Sequence, residues 1–269
     1  MNLKRVLTTL IGLPVVGALL ILGNTYVIDF FLLAVAIICM HEYFGVIEKV
    51  AHPIKWIGYL STIIVAVPAF LSIEVLMKIV IFSIPIILLI LFLKVIITNM
   101  ETTFKDVSYT FLGIFYVIIC IMFLSLIRGL DNGKIILGYV ILVAWSTDIF
   151  AYIVGKHFGK HNFSKISPKK TTEGCVAGII GAIIIGIVYM LISSKFWGLN
   201  VNSYLIVAIV TGILSVVSQI GDFVASSIKR FADIKDYGNL IPGHGGMLDR
   251  IDSLIFIAPF AYMFFSMIV

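Results

Sequence analysis

Residues 204–223 read YLIVAIVTGILSVVSQIGDF, with no charged side chain before Asp222 in the last turn. A buried core helix can stay apolar for about 10 to 14 residues, whereas a hydrocarbon layer roughly 30 Å thick takes about 20 apolar residues in helical form. The stretch therefore predicts a membrane span that ends on an acid. Moving outward in windows of about 19 residues, further spans are expected near 6–22, 27–47, 56–72, 77–96, 107–127, 135–154, 174–193 and 251–268, which makes nine. The third and fourth are separated weakly. Between them VPAFLSIEVLMKIVIF offers only Glu74 and Lys78 as a break, and Pro68 could kink a helix or precede its end. Eight or ten spans are the alternatives.

The rest of the chain agrees with an all-α, polytopic membrane protein. Over 269 residues it is 61% hydrophobic and 12% charged, with a mean hydropathy of +1.16, far from the composition of a soluble domain. Lysine and arginine accumulate in cytoplasmic loops. With nine spans and a cytoplasmic N-terminus, fifteen of the nineteen basic residues fall on the inner side, leaving Lys78, Arg128, Lys134 and Lys195 outside. The net charge of +5 is explained by that placement and gives no nucleic-acid signal. The first apolar run follows MNLKR as a signal peptide would, but lacks an A-x-A cleavage pattern and is read as a retained span. Cys39, Cys120 and Cys175 lie in or at the edge of spans without metal-ligand spacing. Asn162-Phe-Ser fits a glycosylation acceptor, which an inner loop would leave unused.

No repeat, linker or low-complexity segment divides the chain, so residues 1–269 are expected to form a single membrane domain. Two inner connections, about 155–173 and about 224–250, are long and polar, and such loops are usually functional. In the second, Asp222, Ser226, Lys229 and Asp233 follow helical spacing and would share one face. KDYGNLIPGHGGMLDRID then runs from Lys235 to Asp252, with glycines for tight turns before Asp249 and Asp252, one turn apart at a helix start. The plain reading of those two carboxylates is that the helix dipole favours them. Asp222 resists that reading: an intramembrane acid is costly and usually lines a cavity, pairs, or holds an ion. If spans eight and nine are neighbours, Asp222, Asp249 and Asp252 could converge beside Lys and Arg, as a magnesium–phosphate site requires.

The first loop carries similar groups. WSTDIFAYIVGK places Ser146, Asp148 and Tyr152 toward the inner end of span six, and SPKKTTEG brings Ser167, Lys169, Lys170, Thr171 and Glu173 to the start of span seven. Free N–H groups and lysines together can hold anionic oxygens. The plainer reading makes the lysines membrane anchors and Glu173 a cap. His244, between glycines, could be a base, a metal ligand or a loop hydrogen-bond donor, and having no partner at metal spacing it favours the last. Asp29 sits near an outer edge where snorkelling accounts for it. His41 and Glu42 lie near an inner edge and could border the same cavity.

SSIKRFADIKDYGNLIPGHGGMLDRID resembles the signature of the phosphatidate cytidylyltransferases through Ser226, Lys229, Arg230, Lys235, Asp236, Gly238, Pro242, His244, Gly245, Gly246, Asp249, Arg250 and Asp252. SQIGDF, STDIFAYIVGK and SPKKTTEG extend the likeness, so that the motifs concentrate in residues 145–252. The resemblance implies a polytopic helical enzyme of the cell membrane that converts CTP and phosphatidic acid, with Mg²⁺, into CDP-diacylglycerol and pyrophosphate. It also implies a homodimer, allows K⁺ as a second ion, and carries the metal-ligand role onto Asp222 and Asp249. Lys229, Arg230, Lys169 and Lys170 would then neutralise the substrates, with Asp252 and Arg250 in support. A transporter would share the intramembrane acids but not the Gly-rich loop joined to lysines and arginines. A noncatalytic scaffold would tolerate loss of Asp249. The Asp-Gly-x-x-Ala-Arg signature of CDP-alcohol phosphotransferases is absent, and a CTP-dependent polyprenol or phytol kinase is the closer rival.

Overall fold

The computed structural model describes residues 3–164, 166–199, 203–240, 243 and 245–268. Every regular element among them is helical: α1 (Leu3–Leu22), α2 (Thr25–Ile47), α3 (Lys55–Ser61), a 3₁₀ helix (Thr62–Ala69), α4 (Ile73–Ile97), α5 (Phe104–Gly113), a π segment (Ile114–Ile119), α6 (Cys120–Gly129), α7 (Gly133–Phe158), α8 (Thr172–Trp197), α9 (Tyr204–Phe231) and α10 (Leu248–Ile268). The π segment keeps α5 and α6 in one run, Phe104–Gly129. Seven of these helices are long and apolar enough to cross a membrane, namely α2, α4, the α5–α6 run and α7 to α10. The chain is accordingly a multi-pass membrane protein. The helix around the 56–72 window is short, and 3₁₀ winding takes over at Thr62 and ends just after Pro68.

Several helices outrun their apolar windows. α7 continues to Phe158 and α9 to Phe231, so the polar connections shrink to 159–171 and 232–247. With 28 residues, α9 is about 42 Å long at 1.5 Å per residue, longer than the hydrocarbon layer. Its charged end can leave the apolar region without unwinding. Asp233 does not share the helical face of Asp222, Ser226 and Lys229, because the helix has stopped and Asp233 takes a left-handed φ of 52°.

The chain folds as two compact units. The first comprises residues 1–129 and 231–250. It is organised on α2, whose Ala36, Cys39, Met40, Tyr43 and Phe44 are almost entirely buried. The Tyr43 hydroxyl donates to the Tyr109 carbonyl at 2.9 Å, and Gly113 lies so close to the Tyr43 ring that a Cβ there would collide with it. Thr103 and Asp106 form a capping box at the start of α5, and Asp106 also accepts the His52 N–H at 2.6 Å. Asp29, expected to snorkel, is instead wholly buried. It accepts hydrogen bonds from Ser125 at 2.5 Å and Arg128 at 3.1 Å.

The second unit comprises residues 130–230 and 251–269. Small residues let α7 and α8 approach closely. A Cβ on Gly174 would stand 2.6 Å from the Ala151 carbonyl oxygen, and one on Gly178 would stand 2.9 Å from that of Thr147. Buried hydroxyls then tie α7 to α9: Tyr139 to Thr211 at 2.5 Å and Thr147 to Ser215 at 2.8 Å. In the same unit Gln219 donates to the Cys175 carbonyl at 3.1 Å, joining α9 to the first turn of α8.

Candidate active site

In the second unit the connection between α7 and α8 is a built structure. Thr171 caps α8 by accepting the Gly174 N–H at 3.2 Å. A lone antiparallel bridge pairs Asn162 with Thr171. The Glu173 carboxylate meets its own backbone N–H in the first turn of α8, and it also takes the N–H groups of Lys160 at 3.1 Å and His161 at 3.3 Å and meets His161 Nδ1 at 2.6 Å. The turn after α7 is thereby fastened to the start of α8. Ser167 accepts the Lys170 N–H through its carbonyl at 3.0 Å, while Lys169 is exposed.

This arrangement delivers Lys170 to the polar end of α9, where its ammonium pairs with the Asp222 carboxylate. The lysine side chain is 20% exposed and the aspartate 27%, a half-buried pair. Lys170 Nζ also sits 4.4 Å from the centre of the Phe223 ring, which stacks on Phe163 at 5.1 Å. A cation over an aromatic face is held electrostatically as well as by its carboxylate. Asp252 on α10 is buried, and the charged groups that act on it are Asp222, Lys229 and Asp148. Four predicted site residues, from α7, α9 and α10, thus lie in one electrostatic neighbourhood. Ser226 is half-buried on the same α9 segment and Arg230 is exposed.

Other predicted residues are placed differently. Ser146 is buried with its hydroxyl engaged by its own helix, donating to the Leu142 carbonyl at 2.6 Å. Tyr152 is exposed, with Lys156 Nζ 5.9 Å from its ring centre. Lys235, Asp236 and Arg250 are exposed, and His244 lies outside the described residues.

In the first unit the loop before α10 is organised by two carboxylates. Asp249 Oδ2 accepts the N–H groups of Tyr237 at 2.7 Å and Gly246 at 3.0 Å. Gly245 adopts φ +84°, and a Cβ there would stand 2.9 Å from Asp249 Oδ2, so the turn both needs and encloses a glycine. The second carboxylate is Glu42 of α2, which accepts Met247 N–H and Leu248 N–H, each at 2.8 Å. The sequence drew attention to Glu42 only as a residue near a cavity. Its signal was the one that singled out Asp222, an acid inside an apolar run.

The second unit has the donors a magnesium ion asks for. Among the described residues no group of three or more His, Cys, Asp or Glu stands together to hold a metal. Mg²⁺ needs less, one or two carboxylates with phosphate oxygens and water completing an octahedron. Asp222 and Asp252 supply hard oxygens, and Asp222 already attracts one cation in Lys170. Among the described residues, the hydroxyls of Ser218, one turn before Asp222, and Ser253, next to Asp252, are buried without a hydrogen-bond partner. These residues fit the group.

The sequence pattern of the Cytidylyltransferase family matches residues 3–268. A phosphatidate cytidylyltransferase of Bacillus subtilis (strain 168) is 39% identical over 183 residues, which cover 67% of this chain and 66% of that protein. Proteins of the same description from Staphylococcus haemolyticus and Staphylococcus saprophyticus are 40% and 41% identical over 158 residues, 58% of each chain. The chain therefore spans about two thirds, or less, of the length of these relatives.

Proposed function

The chain belongs to the Cytidylyltransferase family, and on that premise we propose that it transfers the cytidylyl group of CTP to phosphatidic acid, giving CDP-diacylglycerol and pyrophosphate. The observation that carries this reading is the ion pair of Lys170 with Asp222. It joins the basic SPKKTTEG segment to the acid at the end of α9, so that cationic groups for phosphates and carboxylate groups for a metal adjoin. A transporter has no use for that combination.

In the proposed reaction an ionised oxygen of the lipid phosphate attacks the α-phosphorus of CTP in line with the α–β bridging oxygen. A phosphorus–oxygen bond forms, the α–β anhydride bond breaks, and its electron pair leaves on pyrophosphate. No proton has to be removed, since phosphatidic acid is ionised near neutral pH, and no base role is assigned to His244. The obstacle is repulsion between two polyanions, and positioned cations lower it. Lys170, Lys169, Lys229 and Arg230 are assigned that work, while Asp222 and Asp249 are assigned as metal ligands on the sequence resemblance. Bound Mg²⁺ would offset charge on the triphosphate and the departing pyrophosphate. Asp222 would hold the metal, and Lys170, now paired with that carboxylate, would then serve a phosphate oxygen instead. Ser146, Asp148, Tyr152, Ser167, Thr171, Glu173, Ser226, Lys235, Asp236, Gly245, Gly246, Arg250 and Asp252 are proposed to line or support the substrate site.

The further proposals are nine spans with a cytoplasmic N-terminus, a cytoplasmic active site, a homodimer, and K⁺ as a possible second ion. Two segments would complete the nine. α1 has 20 residues, and Lys55–Ala69 extends about 26 Å when helical and 3₁₀ rises are combined. The reaction is tested with CTP labelled at either phosphate. Label from the α-phosphate should enter the lipid; lipid label from the γ-phosphate alone would identify a kinase.

A further inference from the structure

Glu42 belongs to none of the motifs that suggested the function, yet it is bound to the loop that contains most of them. It lies in the apolar helix α2 and is only 8% exposed. Its Oε1 accepts the Met247 N–H and its Oε2 accepts the Leu248 N–H, both at 2.8 Å, across 205 and 206 positions of sequence. These donors belong to the start of α10, where helical N–H groups have no partner within the helix and the dipole favours an anion.

The backbone around the carboxylate is shaped to it. A Cβ on Gly238 would stand 3.0 Å from Glu42 Oε1, and a Cβ on Gly246 would stand 2.5 Å from Oε2. Both ends of the loop thus pass close to Glu42, at positions where a side chain would push the carboxylate away. Asp249 takes the adjacent donors, Gly246 N–H and Tyr237 N–H. The N–H groups of Gly246, Met247 and Leu248 are therefore divided between two carboxylates, one from α2 and one from α10. Fixing Met247 and Leu248 fixes the turn of helix from which Asp249 projects.

We propose that Glu42 is a positioning residue for nucleotidyl transfer, holding the first turn of α10 through Met247 and Leu248 and thereby fixing where Asp249, assigned above as a metal ligand, is presented. This rests on the reading of Asp249 as a metal ligand in the proposed reaction. Both oxygens of Glu42 act as acceptors, so Glu42→Gln turns an amide NH₂ toward one backbone N–H, donor against donor. Glu42→Asp keeps the charge but, one methylene shorter, cannot reach as the parent does.

The test uses the full chain purified in detergent. Amide hydrogen exchange at Met247 and Leu248 is measured in the unsubstituted protein and in both variants, beside turnover of CTP with phosphatidic acid over a Mg²⁺ series. In the unsubstituted protein the two amides should exchange slowly. In Glu42→Gln they should exchange at least about tenfold faster, and the Mg²⁺ concentration for half-maximal turnover should rise about 10-fold or more, the scale seen when a partner of a metal ligand is lost. Glu42→Asp should fall between. Rapid exchange of both amides in the unsubstituted protein overturns the proposal, whether or not a variant folds. So does a folded variant with an unchanged Mg²⁺ requirement, which leaves Glu42 a structural cap only. No turnover by the unsubstituted protein, with slow exchange retained, instead removes the proposed function while leaving the clamp in place.

Discussion

Lys170, in the connection before α8, forms an ion pair with Asp222 near the end of α9. The pair is half-buried and has Phe223 beneath the ammonium, so its partners are attracted more strongly than at an open surface. Lys170→Met should lower kcat/KM by about 10²-fold or more, the scale for removing one group that stabilises developing charge. Lys169→Met, at an exposed position, should cost less than about tenfold. Steady-state turnover of the two variants gives the ranking, and equal losses would remove the distinction drawn between the adjacent lysines.

Asp249→Asn tests the carboxylate without discarding its hydrogen bonds. The amide oxygen can still accept from Tyr237 and Gly246, whose N–H groups now meet Asp249 Oδ2, but the anionic charge is lost. The variant should insert and fold normally while turnover drops at least about 10²-fold, as expected for loss of a metal ligand or transition-state charge. Full activity in a folded Asp249→Asn protein would contradict the metal assignment.

Helix packing in the second unit gives a paired prediction. At Gly174 a Cβ meets backbone, the Ala151 carbonyl oxygen at 2.6 Å, whereas at Gly212 the nearest atom is an Ile183 side-chain carbon at 3.5 Å. Gly174→Ala should destabilise the protein by about 1–3 kcal/mol, the usual range for overpacking, and Gly212→Ala should be nearly neutral. Thermal unfolding in detergent would show one midpoint depressed and the other almost unchanged.

Arg128 and Asp29 form a buried pair in the first unit. Arg128→Met leaves an uncompensated carboxylate and should destabilise by about 3–5 kcal/mol. Adding Asp29→Asn should restore part of that loss, because a neutral amide is cheaper to bury than a lone charge. A double-mutant cycle on thermal unfolding measures the coupling. Additive losses would contradict a paired role.

The apolar windows made the membrane class and most long helices legible, because a bilayer demands a nearly continuous apolar run where a soluble fold demands only a stripe. Helix ends were less legible. α9 continues to Phe231 because a helix persists where it leaves the apolar layer, and hydropathy marks the layer rather than the helix. The 56–72 window hid a change of winding at Thr62, where the Thr62 hydroxyl donates to the Tyr59 carbonyl three residues back at 2.7 Å. Asp222 attracted attention as an acid in an apolar run, but its meeting with Lys170 depends on how α8 returns alongside α9. Glu42 carried a similar sign and was harder to interpret, since its partners are backbone N–H groups at the far end of the chain and no side-chain pattern announces them.

The most direct measurement follows pyrophosphate release by the purified full-length protein from CTP, with and without phosphatidic acid and with and without Mg²⁺. The account predicts release that requires both the lipid and the metal and matches the CDP-diacylglycerol formed mole for mole. Release independent of phosphatidic acid, or no release when both lipid and metal are present, would contradict it.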